Sequence, residues 1–510
     1  MLIFNKINIK NICVCLQYFV TLRHKTLQID DMISRSEAYQ APSLFSGLAE
    51  MLDPSHPLFR LANRVNWRIF DDEFEPLFCK DNGRPAKPIR LMVGLLILKH
   101  VRNLSDESIV EQWRENAYYQ YFCGMTQFSA QPPCEASELV HFRHRVGEEG
   151  IELILKESIR VNDEDENHHR GRGRRPQQET TAFIDSTVQE KNITFPTDAK
   201  LLVKIVDWCQ KVSRAEGLVL RQTYRNEMKE LKRVMRFRGR AKSKKAVARA
   251  DRRLRTIAGR LCRELDRLLD ADSPWRERLK ISLMFINGEK LDGHKIYSLH
   301  EPDVVCIAKG KDRVKYEFGN KVSIIRTWSG LIIGAKSFRN EYDGHTIDPA
   351  LEQVGRLYPH PIKILAGDRG YRGKKQSGRT MIEIPGTPKA TDSPYQKRKK
   401  HRRFCKRAGI EPVIGHLKSD NRLGRNFYKG LFGDSINVML AAAAFNFRRA
   451  MRALFVTIFT TFRLLSETIT ALHAMSYAKY RQSLAFASAR AQSPGTVVNQ
   501  KVYPMLLFKG

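Results

Sequence analysis

One glutamate, Glu411, stands inside the run "FCKRAGIEPVIGHLKSDNRLGRNFYKG" (residues 404–430), where arginine, lysine and glycine otherwise set the character. A carboxylate kept in a surface suited to polyanions has two readings: it holds a cation, or it closes a surface ion pair of little energetic value. Two aspartates pose the same choice. Asp185 lies in the middle of "TAFIDSTV", a β-branched, apolar stretch that reads as a strand. Burial there raises a carboxyl pKa unless a cation or donors compensate, so Asp185 either sits at an edge or faces something positive. Asp368 closes "IKILAGD" and is followed by Arg-Gly-Tyr-Arg-Gly. The carboxyl end of a strand is where open α/β sheets place their sites, although Asp-Arg-Gly is also a common turn.

The neighbours of Glu411 are spaced as on a helix. Arg407, Glu411 and Lys418 fall at i, i+4 and i+11, on one face. Pro412 lacks a donor and clashes one turn back, so the helix is expected to start or kink at Glu411.

The whole chain supplies a setting for such groups. Its 510 residues carry a formal net charge of +33, with 42% apolar residues. That is enough to bury a large core in two or three domains, and the positive field favours phosphate backbones. Nucleic acid is the leading partner; a basic protein that is merely soluble, or that sits on ribosomes or anionic lipid, is the alternative. Nine scattered cysteines, odd in number and without paired CxxC motifs, read as reduced thiols. They exclude a zinc finger and a disulfide framework and leave carboxylates as the metal ligands to expect.

Residues 42–160 read as helical. In "PIRLMVGLLILKHVRNLSDESIVEQWREN" Ser105 or Asp106 can cap a second helix, giving either a helix-turn-helix or part of a bundle. The switch from acidic to basic in "NDEDENHHRGRGRRPQQ" suggests a linker, placed at 161–180, in which His168 and His169 read as a solvated pair. From about 199 to 272 a basic, helical pattern suggests an inserted antiparallel hairpin turning near Gly239 to Lys245. Its polar face could grip DNA or simply be solvated. Strands are then expected in "HKIYSLHEP", "VVCIAKG", "YEFGNKVSIIRTWSGLIIGAKSF" and "HPIKILAGDRGY", with a helix in "NEYDGHTIDPALEQVGRLY". The result is an α/β core split in sequence by the hairpin. Residues 1–41 are expected to be a non-native or disordered extension, with Met32 the more natural start. The apolar stretch 453–472, broken by Arg463 and Glu467, suits a packed helix better than a membrane span, within a helical or poorly ordered tail at 451–510.

"FIDSTV", "ILAGDRGY" and "FCKRAGIEPVIGHLK" together resemble the three acidic segments of DDE transposases from bacterial insertion sequences, of the insertion-sequence-five type. The family's frame around its glutamate is Tyr, two residues, Arg, three residues, Glu, six residues, Lys. Here it is filled by Phe404, Arg407, Glu411 and Lys418, with phenylalanine in place of tyrosine. The likeness extends over about residues 42–450, including the 88–107 region and "IYSLHEPDVVCIAKG". It implies an α/β, RNase H-like catalytic core at 181–450, with a mixed sheet flanked by helices, behind an all-α DNA-binding domain at 42–160. It implies that Asp185, Asp368 and Glu411 converge on two Mg²⁺ ions, for which Mn²⁺ can substitute, and that Arg407, Lys418, Arg422, Arg425, Lys429, Phe404 and Tyr371 contact DNA. The implied partners are double-stranded DNA at element ends and targets and further copies of the chain in a dimer or larger multimer, with no membrane. The implied setting is the bacterial cytoplasm, at the nucleoid. A silent DNA-binding descendant acting as a repressor, and a nuclease without strand transfer, are the alternatives.

Overall fold

The computed structural model describes residues 47–79, 86–168, 180–308, 315–386 and 391–453. The expected N-terminal extension, His169, most of the 161–180 segment, and the apolar stretch and tail from 454 onward lie outside these residues.

Ahead of the first strand every described element is helical: α1 (Leu48–Met51), α2 (Pro57–Arg64), α3 (Arg68–Phe74), α4 (Ile89–Val101), α5 (Asp106–Glu115), α6 (Ala117–Phe122) and α7 (Ala136–His168), with one short 3₁₀ turn after α3. Residues 91–101 of α4 are buried on every side, as the Leu, Met, Val and Ile on both sides of Gly94 dictate, with Lys99 and His100 buried near its end. Any reading of a DNA groove by this pair would therefore fall to α5, which buries only Ile109 and Trp113. Ser105 caps α5, its hydroxyl accepting from the Ser108 N–H at 3.0 Å. Helix α7 is interrupted at Gly147, whose φ of 68° leaves the helical region. It then runs into the stretch expected to be a linker, because Val161 and Asn162 are buried and the Asn162 amide donates to Asn446 O at 2.9 Å.

The sheet is mixed. Strand β1 (Thr181–Lys191) lies at its centre, antiparallel to β3 (Tyr316–Thr327) and parallel to β5 (Ile364–Ala366). β3 pairs antiparallel with β2 (Val305–Ala308) and β4 (Ile332–Phe338) along its other edge. Beyond β5 come β7 (Thr380–Glu383), parallel, and β6 (Gln376–Ser377), antiparallel; the two-residue β8 (Arg425–Asn426) meets the far end of β1. Gly319 lets β3 pass close to β1, since a Cβ there would fall 1.9 Å from Gln189 O.

Two expectations change. The block between β1 and β2 is more than a hairpin: the expected turn lies between α9 (Arg225–Met235) and α10 (Lys244–Leu268), but α8 (Asp198–Ala215) and α11 (Arg276–Asn287) join them in a unit that extends to Asn287. It has its own apolar core, in which Ile205, Cys209, Leu254, Ile257, Leu261 and Phe285 meet. The periodicity of α10 alone could not reveal that α8 and α11 cover the same stripe. Residues 294–302 are not a strand either; Ile296 and Leu299 instead pack against the helical unit.

Helices α12 (Ile347–Leu357), α13 (Pro394–Ala408), α14 (Ile410–Asp420) and α15 (Gly430–Ala453) complete the fold. Among the described residues α15 is the helix long and apolar enough to cross a membrane, yet most of it is buried within the protein. Its buried alanines 441–444 let the N-terminal helices and the sheet approach in one continuous core. Asn446 ties this core together: its amide donates to Ile332 O (2.8 Å) and Ser158 Oγ (3.1 Å), and its oxygen accepts from the Ile332 N–H (3.1 Å).

Candidate active site

Sheet register brings the aspartates to one level. Phe183 of β1 is paired with Ala366 of β5 in a parallel ladder, and Asp185 and Asp368 each lie two residues further on. Asp185 is still within β1, opposite Ile324, and its Oδ1 accepts from the Ser186 N–H at 2.9 Å. Asp368 lies past the end of β5, where its Oδ1 accepts from the Gly370 N–H at 2.8 Å and caps a single 3₁₀ turn. Glu411 is exposed in the first turn of α14, which begins at Ile410 as Pro412 requires. Ile410 is fully buried against Phe183 and Ala366, with Trp328 and Ile414 beside them. This small cluster fixes the start of α14 to the same two strands that carry the aspartates.

The groups act on one another. Burial raises the Asp185 carboxyl to about 6; Arg407 opposes that shift, while the charges of Asp368 and Glu411 add to it. Arg407 Nη1 lies 3.5 Å from Asp185 Oδ2, with both side chains mostly buried. The junction of α13 and α14 is seated over Arg326 of β3, whose guanidinium donates to Lys406 O at 2.5 Å. Gly409 leaves the space, since a Cβ there would meet Arg326 Nη2 at 2.8 Å.

One neighbour has no counterpart among the sequence candidates. A Cβ on Gly370 would lie 2.9 Å from Asp343 Oδ2 and 3.0 Å from Asp368 Oδ1, so the Asp343 carboxylate stands beside Asp368. Asp343 also pairs with Lys321 Nζ at 3.2 Å. Its signal in the sequence is weak, an Asp-Gly step between strand and helix that reads as an ordinary turn.

The expected DNA contacts separate. Tyr371 is fully buried, next to Gly367, and cannot reach DNA in this arrangement, which corrects its expected role. Burial, together with the charges of Asp343, Asp185 and Asp368, pushes its phenol well above the ordinary value, so it stays neutral behind the carboxylates. Arg407 faces Asp185, and Phe404 and Lys418 are half-buried on α13 and α14. Arg425 is exposed on β8, with Nη2 3.4 Å from Ile193 O, whereas Arg422 and Lys429 line a separate cleft with Lys99 and Arg143.

Three carboxylates are the hard oxygen donors that suit Mg²⁺ or Mn²⁺, and the mutual repulsion felt at Asp185 is what a cation relieves. The donor chemistry fits such ions. Among the described residues, no three His, Cys, Asp or Glu side chains stand at ligating distance from a common point, and Arg407 supplies the positive charge nearest Asp185.

Residues 300–447 match a family described as the transposase DDE domain, and residues 47–145 match one described as a transposase domain, DUF772. A Rhizobium meliloti protein described as uncharacterized, ORF8 in the nfe locus, is 40% identical over 177 residues, which is 35% of this chain and 82% of that protein. No solved structure matches. The chain belongs to the DDE transposases of insertion sequences and is an enzyme of that type. Its domains imply DNA transposition, and its family generally uses divalent metal ions. Asp185 lies between the two matched regions and joins the site only through the sheet.

Proposed function

We propose that this transposase binds the terminal inverted repeats of its element, cuts the phosphodiester backbone there and joins the freed 3′-hydroxyl ends to target DNA, with Asp185, Asp368 and Glu411 as catalytic and metal-holding residues. The observation that supports this reading is the register of β1 and β5, which sets Asp185 and, just past the end of β5, Asp368 at one level, with the start of the Glu411 helix packed on the same two strands through Ile410. The strand order β4-β3-β1-β5-β7, with two antiparallel pairings followed by two parallel ones, supports an RNase H-like catalytic core from 181 to about 450.

Two Mg²⁺ ions held by these carboxylates would activate the attacking oxygen and stabilise the leaving one. The chain's own residues do the rest. Burial keeps Asp185 near the point of protonation, and Arg407 neutralises it at rest. We assign phosphate contacts to Lys418 and Arg425, and, from their separate cleft, to Arg422 and Lys429. We assign the helices from 47 to 160 to end recognition, and we expect the active form to be a dimer or larger multimer on paired ends, in the bacterial cytoplasm.

A cleavage and strand-transfer assay with Mg²⁺ or Mn²⁺, on DNA bearing the element's ends, tests this by comparing the wild type with Glu411→Gln. Metal-dependent joined products from the wild type alone are expected. Binding to the ends without cutting would instead identify a silent DNA-binding descendant, and cutting without joining a nuclease.

A further inference from the structure

A cleft of about 810 Å³ opens between the α4–α5 turn, α7 and the chain that follows α14. Its floor is charged. Lys99 Nζ donates to Asp106 Oδ1 (2.7 Å) and to the Tyr428 hydroxyl (2.9 Å), and Arg143 makes a forked pair with the same Asp106 carboxylate (2.8 and 2.9 Å). Both cations also lie against the Tyr428 ring, 4.6 and 4.4 Å from its centroid. One carboxylate thus serves two buried cations, and Arg422 and Lys429 bring further positive charge to the walls. Burial presses Lys99 down to about 7 against the pull of Asp106, so the positive charge offered to an anion comes from Arg422 and Lys429 on the walls, with Glu107 the acidic residue beside them.

The rim is aromatic. Phe427 is 56% exposed, with the Arg422 guanidinium 5.4 Å from its ring centroid. His144, also exposed, stacks on Phe432 with centroids 5.0 Å apart. Arg422 is held at φ 66° and Asn103 at φ 58°, and Arg422 Nη1 reaches Asn103 O at 3.5 Å. Left-handed backbone at two non-glycine residues costs energy and is retained where geometry matters.

The volume is that of a small-ligand pocket, too narrow for a duplex, and a bare phosphate would leave the aromatic rim unused. We propose that this cleft receives one unstacked nucleotide of DNA, its base against Phe427 and the His144–Phe432 pair and its phosphate against Arg422 and Lys429. The proposal rests on the reading that the chain acts on DNA. Arg422 follows the last residue of α14 by two positions, which places the cleft at the far end of the helix that carries Glu411.

Fluorescence anisotropy of the full chain, with a labelled oligothymidylate and with a random-sequence duplex, tests it. Phe427→Ala should weaken oligothymidylate binding about tenfold, the loss of one base–aromatic stack, and leave duplex binding unchanged. Phe427→Trp should restore it. An unchanged thermal melt is expected for both variants, since Phe427 is largely exposed. If Phe427→Ala leaves both affinities alone or weakens both equally, the cleft does not take a base and the proposal falls. Wild type that binds the duplex but not the oligothymidylate overturns the cleft alone; wild type that binds neither overturns the DNA reading as well.

Discussion

At the scale of single residues, burial sets Asp185 apart from a carboxylate in water. Its carboxyl is raised from 3.8 to about 6, chiefly by burial, so the folded chain holds a proton that the unfolded chain has lost between those values. Stability from this group is therefore fully present below about pH 4 and is lost as pH rises through 6. The ionised carboxylate then costs on the order of 2–3 kcal/mol in the absence of metal. Asp185→Asn should raise the thermal stability of metal-free protein at pH 8 by an amount of that order while abolishing cleavage. Because protons and cations compete for the same oxygens, Mg²⁺ should stabilise the wild type at pH 8 but progressively less below pH 6, and the variant little at either; calorimetry across pH checks both. Asp106 gives a second prediction. Burial pushes its carboxyl up, but the bonds from Arg143 and the nearby positive charges overcome that and hold it at about 2. Asp106→Ala would leave Lys99 and Arg143 buried without a counter-charge, and a loss of about 3–5 kcal/mol is expected in urea titration.

Among the elements, the tight approach of β1 and β3 governs whether the site forms. Gly319 sits where any side chain would collide with Gln189 O, a backbone atom that cannot move aside without parting the strands. Gly319→Ala should cost roughly 2–3 kcal/mol or more, measured by chemical denaturation. The first turn of α14 depends on a smaller device, the contact of Ile410 with Phe183 and Ala366. The far end of that helix is fastened to the N-terminal helices: Asn421 Nδ2 donates to His100 O at 3.1 Å and Asn103 Nδ2 to Ser419 O at 3.0 Å. The helix carrying Glu411 is thereby tied to the sheet at one end and to the α4–α5 turn at the other.

Across the whole molecule, the inserted helical unit is one of the strongly basic parts of the chain. Lys232, Arg238, Arg253 and Arg255 there find acidic partners, whereas Arg236, Arg240, Lys242 and Lys245 are exposed around the turn between α9 and α10 with no ion pair among the described residues. Replacing those four with Gln should lower the slope of log K against log salt for duplex binding by about 0.9 for each phosphate no longer neutralised, so by up to about 3–4 in all. Salt titrations with duplexes that carry or lack the element's ends check this. An equal drop for both is expected, because backbone contacts carry no sequence information.

The sequence by itself determined the chemistry. Carboxylates in otherwise apolar or basic runs are costly enough to stand out, and local rules place each one: β-branched alternation for Asp185, strand end for Asp368, a proline-defined helix start for Glu411. Secondary structure follows the same local logic in α4, α5 and β3, where side-chain period and capping act over a few residues. Only the tertiary structure decided what depends on partners distant in sequence. The level pairing of Asp185 with Asp368 comes from strand register, the burial of Tyr371 from packing behind the sheet, and the Asp343 carboxylate from the approach of two loops. The four-helix form of the insertion and the shared service of Asp106 to Lys99 and Arg143 have the same origin. An exposed arginine and one facing a carboxylate are the same letter, and what separates Arg407 from Arg425 is the chain folded around each, because desolvation and Coulomb energy depend on distance in space and not along the sequence.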